Sequence, residues 1–306
     1  MTASITLIGD NLAQYEPSFQ AWLSTQQLEA SRKVLTNQKD AFCVQRYDLS
    51  TPITDGKYGE LRAALLALAD QTGIDHILQR STPNIRQTGL AVFDMDSTLI
   101  KAEVMDELAV EMGIGEQIAA VTASAMRGEI DFVQSFTQRL SLLNGLSSDV
   151  MDSVYQRIEH MDGIGTLMQV LHHFCWKTAI LSGGFTYFAD RVQTDHGMTE
   201  VHANVLEIVD CKLTGNYVGP IVDAKRKQVL LAELSQKYAI PANQTIACGD
   251  GANDLLMLND AALGVALHAK PIVRQQAPCP MNQLGLDGVL YLLGLSSDEI
   301  SSLVNA

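Results

Sequence analysis

Two rhythms of apolar and polar positions divide the chain. Up to about residue 80, short apolar runs alternate with stretches of helical period: "SITLIG", "PSFQAWLSTQQ", "AFCVQRYDLS", "YGELRAALLALADQTG" and "IDHILQR", with room for another strand near "SRKVLTN". That order predicts a small α+β sandwich of the β-α-β-β-α-β kind. The polar segment "STPNIRQTG" follows, and its Pro and Gly mark a linker. From residue 89 strands alternate with helices instead. "LAVFDMD", "KTAILSGG", "TIACGDG" and "LGVAL" are apolar on both alternations, as strands covered on both faces of a parallel sheet must be. The fold class is therefore α/β, a doubly wound parallel sheet preceded by a smaller α+β unit. Ligands of such sheets gather beyond the carboxyl ends of the strands, and the first three of these strands end in Asp, Ser or Gly.

Between the first two parallel strands, roughly residues 104 to 160 read as helical throughout, which predicts a helical cap inserted over that crevice. Helices stopping at Gly113, Gly128 and Gly145 fit C-terminal glycine caps. Farther on, "HANVLEIVDCKLTGNYVG" has strand-like runs around a "CKLTGN" turn and predicts a hairpin.

Composition narrows the function classes. At 306 residues the chain exceeds a usual single domain. Its 35 acidic residues against 21 Lys plus Arg give a net charge of −14, a field that repels nucleic acid and anionic membranes. An anionic substrate would need local positive groups. No stretch reaches the roughly 18 apolar residues of a membrane span, and "MTASITLIGDNLAQYEP" lacks the basic start and apolar core of a signal peptide, so a cytoplasmic location is expected. Five scattered cysteines suggest neither a disulfide framework nor a zinc site, and the seven histidines show no metal-ligand spacing.

Candidate chemistry sits at the strand ends. In "FDMDST", Asp94 and Asp96 are spaced to extend to one side, and two neighbouring carboxylates call for a cation or a shared proton. An Asp-rich turn in which Ser97 or Thr98 caps the next helix is the competing reading. In "ACGDGANDLLML", Asp250 closes another strand, Gly249 and Gly251 allow a tight turn, and Asn253 and Asp254 open a helix; a third carboxylate suits an oxygen-ligated Mg²⁺. Ser182, Gly183 and Gly184 end a third strand with amides and a hydroxyl, as phosphate sites require, although a plain helix cap reads the same way. Lys227 shares a helical face with Leu230, Leu231, Leu234 and Tyr238, which buries it while Lys225 lies off that face. Lys227 is thus the candidate phosphate ligand, with a snorkelling lysine as the alternative. In the cap, Arg139 interrupts the stripe of Phe132, Phe136 and Leu143 and could clamp a carboxylate, while Glu103 could meet an ammonium group.

Taken in order, D-M-D-S-T, L-S-G-G, the helix-starting Lys227 and G-D-G-A-N-D resemble the haloacid dehalogenase superfamily of phosphohydrolases. "FDMDSTLIKAE", "AMRGEIDFVQSFTQRLSLL", "ILSGGF" and "GDGANDLLML" look like the motifs of one member family, the phosphoserine phosphatases, over about residues 85 to 275. The N-terminal segment resembles, in element order alone, the ACT-like extension of some bacterial members. The resemblance implies a Rossmann-like core (83–103 and 161–306), a cap (104–160) and a ferredoxin- or ACT-like domain (1–82). It implies Mg²⁺-dependent hydrolysis of O-phospho-L-serine through an aspartyl phosphate, the last step of the phosphorylated route to serine. Asp94 would be the nucleophile and Asp96 the general acid and base. Asp94, Asp250 and the Asp96 main-chain carbonyl would hold the metal. Ser182, Gly183, Lys227 and Asn253 would bind the phosphoryl group, with Asp254 in support. Glu103, Arg139, Phe132 and Met126 would form the serine pocket. Another small phosphomonoester, transfer to another alcohol, or an amino-acid-sensing phosphoacceptor module remain alternatives. For the N-terminal domain, amino-acid binding, dimerisation and neither stay open; pairing into a homodimer through an exposed sheet edge is the working expectation.

Overall fold

Residues 3–37 and 40–305 are described by a computed structural model, Met126 by its backbone alone. The N-terminal unit comprises β1 (Ser4–Gly9), α1 (Leu12–Thr25), β2 (Ala30–Val34), β3 (Cys43–Leu49), α2 (Asp55–Thr72) and β4 (Asp75–Gln79). Its strands run antiparallel in the order β2-β3-β1-β4, which is the β-α-β-β-α-β sandwich expected from the rhythm of the sequence. All six residues of β1 are buried, because both faces of this sheet are covered. Ile5 and Leu7 face the helices with Phe19, Leu61 and Leu65, whereas Ile8, Val44 and Ile77 join the large core of the rest of the chain.

The second sheet begins with β5 (Leu90–Phe93). Four helices follow: α3 (Val104–Met112), α4 (Gly115–Met126), α5 (Phe132–Leu142) and α6 (Ser148–Arg157). The chain then continues through α7 (Ile164–His173), β6 (Lys177–Phe185), α8 (Thr186–His196), β7 (Glu200–Val209), β8 (Lys212–Val218), α9 (Ala224–Lys237) and β9 (Thr245–Gly249). It closes with α10 (Leu255–Asp260), β10 (Leu263–Leu267), α11 (Pro271–Gln276), β11 (Cys279–Met281), α12 (Gly288–Leu292) and α13 (Ser297–Val304). The strand order is β11-β10-β9-β5-β6-β7-β8, parallel except for the β7–β8 hairpin. Strands β9, β5 and β6 are neighbours at its centre, so Asp250 and Asp94, just past the ends of two of them, lie beside the part of β6 that carries Ser182.

The helical segment leaves and rejoins the core on two adjacent chains, tied by Lys101 N–H to the Glu159 carbonyl (2.8 Å) and Met161 N–H to the Leu99 carbonyl (2.9 Å). It also leans on the hairpin: Gly145 N–H donates to the Leu213 carbonyl, Leu213 N–H to that of Leu146, and the rings of Phe136 and Tyr217 meet at 5.7 Å. Gly113 caps α3 in the left-handed conformation (φ 68°), as expected. Gly128 and Gly145 are left-handed too, but they lie in the turns beyond α4 and α5, whose last turns close on Arg127 and Leu143. No helix among the described residues is long and apolar enough to cross a membrane.

Candidate active site at the strand ends

Asp94 follows the last residue of β5, and its N–H continues the pairing to the Cys248 carbonyl of β9 (2.9 Å). It is buried, and its Oδ1 accepts from Met95 N–H (2.7 Å) and lies 2.8 Å from Lys227 Nζ. The chain then turns back on itself: Thr98, Leu99 and Ile100 N–H all donate to the Met95 carbonyl, and Ser97 takes a positive φ of 54°. Neither Ser97 nor Thr98 caps a helix. Ser97 Oγ donates to Glu103 Oε1 (2.8 Å), and Thr98 Oγ1 donates to Asp250 Oδ1 (3.4 Å). The carboxylate of Asp96 accepts from Val104 N–H at the start of α3 (3.3 Å).

Lys227 arrives from the opposite side. The side chain of Asp223 caps α9 by accepting from Arg226 N–H (2.7 Å), so Lys227 falls in the first turn on the face lined by Leu230, Leu231 and Leu234. It is fully buried, with Nζ also 2.7 Å from Asp254 Oδ1. Lys225 is exposed and bonds Gln228, so the helical register separates the two lysines as the periodicity predicted. Burial alone would lower the Lys227 pKa, but the Asp254 and Asp94 carboxylates override it and hold the ammonium above the ordinary lysine value.

The glycines flanking Asp250 serve close approach, not the tight turn expected of them. A methyl on Gly249 would collide with the Asp254 carboxylate, and one on Gly251 with Asn253 Oδ1. The Asp254 and Asn253 side chains occupy that space, and Gly251 N–H donates to Asp254 Oδ2 (3.0 Å). Ser182 likewise departs from expectation. It does not end its strand, because β6 runs on to Phe185 as a bulge against β7, with Leu181 opposite His202 and Phe185 opposite Asn204. Ser182 Oγ accepts from Gly184 N–H (2.9 Å), which leaves its own proton to donate.

Carboxyl groups crowd this crevice. One oxygen from each of Asp94, Asp250 and Asp254 lies within 4.8 Å of the others. Burial, then the Asp94 charge, pushes Asp250 up to about 7, and burial with the charges of Glu103 and Asp94 raises Asp96 well above the carboxylate range. Both Asp254 oxygens are taken, by Lys227 and Gly251 N–H. The open oxygen donors are therefore on Asp94 and Asp250, a hard set that fits a divalent ion of the Mg²⁺ class.

The cap supplies the remaining wall. Asp131 and Gln134 form a capping box at the start of α5, so Phe132 and Arg139 share one face of that helix. A methyl on Gly183 would touch Phe132 Cζ at 3.6 Å, which places Phe132 over the β6 bulge. Arg139 is half-buried, and its Nε has no hydrogen-bond partner. Burial lowers its pKa against the pull of the Asp106, Glu103 and Asp96 carboxylates. The Met126 side chain lies outside the described residues. Two side chains that bond candidate site residues carry no such role in the sequence: Thr98, where a helix cap is the competing reading, and Asn204, inside a hairpin strand.

Residues 91–259 match the haloacid dehalogenase-like hydrolase family. The chain is 39% identical over 254 residues to a phosphoserine phosphatase of Vibrio cholerae, covering 83% of this chain and 76% of that protein. It is 43% identical over 242 residues to one from Streptomyces coelicolor, spanning 79% of this chain but only 59% of that relative's length. A crystal structure of a HAD-family hydrolase from Salmonella enterica serovar Typhi superimposes with a TM-score of 0.84 at 32% identity over 96% of this chain and 99% of that one. A phospho-aspartyl intermediate analogue of a phosphoserine phosphatase superimposes with a TM-score of 0.63 at 33% identity, over 67% of this chain and 98% of that one. The chain belongs to the haloacid dehalogenase-like hydrolases, among their phosphoserine phosphatases.

Proposed function

We propose that this chain hydrolyses O-phospho-L-serine to serine and phosphate through an aspartyl phosphate on Asp94. One observation carries the reading: Lys227 Nζ holds Asp94 Oδ1 at 2.8 Å, deep among the carboxylates that follow the adjacent strands β5 and β9. With Asp94 anchored there, one of its carboxylate oxygens forms the new bond to phosphorus as the bond to the serine oxygen breaks, and Asp96 delivers its proton to the departing serine oxygen. Asp96 then takes a proton from the water whose oxygen attacks phosphorus and frees Asp94. Ser182, the Gly183 amide, Lys227 and Asn253 steady the phosphoryl oxygens, with Asp254 fixing Lys227. Asp94, Asp250 and the Asp96 main-chain carbonyl would hold Mg²⁺, whose charge would offset both the clustered carboxylates and the phosphoryl oxygens.

The serine end is assigned to Glu103 for the ammonium group and Arg139 for the carboxylate, with Phe132 and Met126 closing the pocket. The unpartnered Nε of Arg139 supports this assignment, because a bidentate carboxylate would satisfy it. Phosphate release with Mg²⁺ tests the chemistry: wild type turns over phosphoserine, and a fully active Asp94→Asn would overturn it. For the substrate, Arg139→Ala should lose about 100-fold in kcat/KM on phosphoserine but far less on p-nitrophenyl phosphate. Equal losses would remove Arg139 from the carboxylate role.

The same reading assigns the chain to the cytoplasm, divides it into an ACT-like domain (1–82), a core (83–103 and 161–306) and a cap (104–160), and pairs two copies through the free edge of β2. Val34 on that edge is 52% exposed. A one-chain mass by light scattering at micromolar concentration would reject the pairing.

A further inference from the structure

The β6 bulge creates a backbone problem that one side chain solves. From Leu181 to Phe185 the strand advances four residues while its partner β7 advances only two, from His202 to Asn204. Residues 182–184 are therefore pushed out of the ladder, and their peptide groups need other partners. Asn204 supplies one: its Nδ2 donates to the Gly183 carbonyl at 2.8 Å. Its Oδ1 accepts from Val222 N–H, also at 2.8 Å. Asn204 is 1% exposed, so both ends of its amide are committed inside the protein.

Those two bonds join the two walls between which the phosphoryl group would sit. Gly183 belongs to the bulge that carries Ser182. Val222 immediately precedes Asp223, the residue that caps α9 and sets the turn bearing Lys227. The walls also approach each other directly, since a methyl on Gly183 would come within 3.6 Å of the Val222 carbonyl. A buried amide with a donor at one end and an acceptor at the other fixes their separation and fixes the Gly183–Gly184 peptide plane, whose N–H is held by Ser182 Oγ.

We infer that Asn204 is a positioning residue for phosphoryl binding, setting the gap between the Ser182–Gly184 bulge and the Lys227 helix. Its hydrogen bonds go to Gly183 and Val222, not to Asp94 or to a residue assigned to the serine end. The inference rests on the phosphatase reading above and deepens it. A wall misplaced by about 1 Å costs on the order of 100-fold in a positioned reaction.

The test compares wild type with Asn204→Asp and Asn204→Ser. The aspartate keeps the acceptor for Val222 N–H but sets an oxygen against the Gly183 carbonyl; the serine is too short to span both partners. Product inhibition by inorganic phosphate and by L-serine is measured together with turnover of phosphoserine and p-nitrophenyl phosphate. We expect the phosphate inhibition constant to rise about 10-fold or more, and kcat/KM to fall by similar factors on both substrates, with serine inhibition unchanged. Unchanged phosphate inhibition in a folded variant overturns the inference, as does equal weakening of phosphate and serine, which marks a merely structural role. Should Asn204→Asp fail to fold by circular dichroism, Asn204→Ser decides alone. Failure of wild type to release phosphate from phosphoserine would instead overturn the parent reading.

Discussion

A methyl group added at position 184 would lie 2.8 Å from Asp96 Oδ2, 3.0 Å from Met95 Cε and 3.1 Å from Ser182 Oγ. Two of those neighbours are polar groups of the candidate site, and Met95 is fully buried, so the Asp96 carboxyl is the group that must give way. Gly184→Ala should therefore lower kcat by about 100-fold while leaving the melting temperature close to that of wild type. Steady-state kinetics beside a thermal melt check this, and a variant with full kcat would show that Asp96 does not need its present rotamer. At this scale the sequence was legible wherever a charged group ended an apolar strand, because burying a carboxylate is costly enough to need a purpose. It was illegible where the purpose was spatial. Gly249 and Gly251 read as a turn, yet they make room for the Asp254 and Asn253 side chains. Met95 carries no role of its own in the D-M-D motif, yet its carbonyl gathers three N–H groups and its side chain packs in the core. Asn204 read as one more residue of a hairpin.

Elements were read correctly where a periodic stripe set their position. The face of α9 placed Lys227 inward and Lys225 outward because a hundred-degree step leaves two such neighbours on different sides. The end of β6 was misread because a bulge preserves the strand while breaking its register, and register belongs to the partner strand. A similar dependence on partners governs His76 in β4. Its Nδ1 donates to the Ile74 carbonyl (2.8 Å), its Nε2 accepts from Tyr15 Oη–H of α1 (2.9 Å), and it packs against the Tyr15 and Phe19 rings. Burial holds its pKa down at about 4, against an ordinary 6.5. The unfolded chain therefore takes up this proton more readily than the folded one. The stability His76 contributes is present above pH 6.5 and is lost as the pH falls toward 4. Urea unfolding at pH 7 and about pH 4.5 should show wild type losing on the order of 2 kcal/mol more than His76→Gln, which can bond but cannot titrate. Equal losses would mean that the imidazole is not what α1 closes upon.

In the whole molecule, the contact between the N-terminal sheet and the catalytic sheet is the feature the sequence hid most completely. Ser4, Thr6, Arg46, Asp75 and Gln79 are polar, yet all five are buried. For Arg46, Asp75 and Gln79 the rest of the chain supplies the partners, whereas Thr6 Oγ1 donates to Gln79 Oε1 within the sheet. Arg46 donates to the Leu292 carbonyl and to Thr82 Oγ1, and Gln79 Nε2 donates to the same carbonyl. Asp75, at the start of β4, accepts from Asn282 N–H (2.7 Å), Gln283 N–H (2.9 Å) and Asn282 Nδ2 (3.2 Å), just beyond β11. A periodicity can show that a face is polar, but only the opposing surface decides whether that face is wet. Asp75→Ala would strand two main-chain donors and one amide in the junction, at a cost of about 2–3 kcal/mol. The catalytic strand ends contribute no group to this junction, so kcat/KM on phosphoserine should stay within about twofold of wild type. The loss should appear in the link between the two units, as faster proteolytic cleavage between residues 80 and 88 and an earlier first unfolding transition. If Asp75→Ala instead unfolds in one step with unchanged cleavage, the two sheets are held together by their shared apolar cluster of Ile8, Val44 and Ile77, and the carboxylate only orients them.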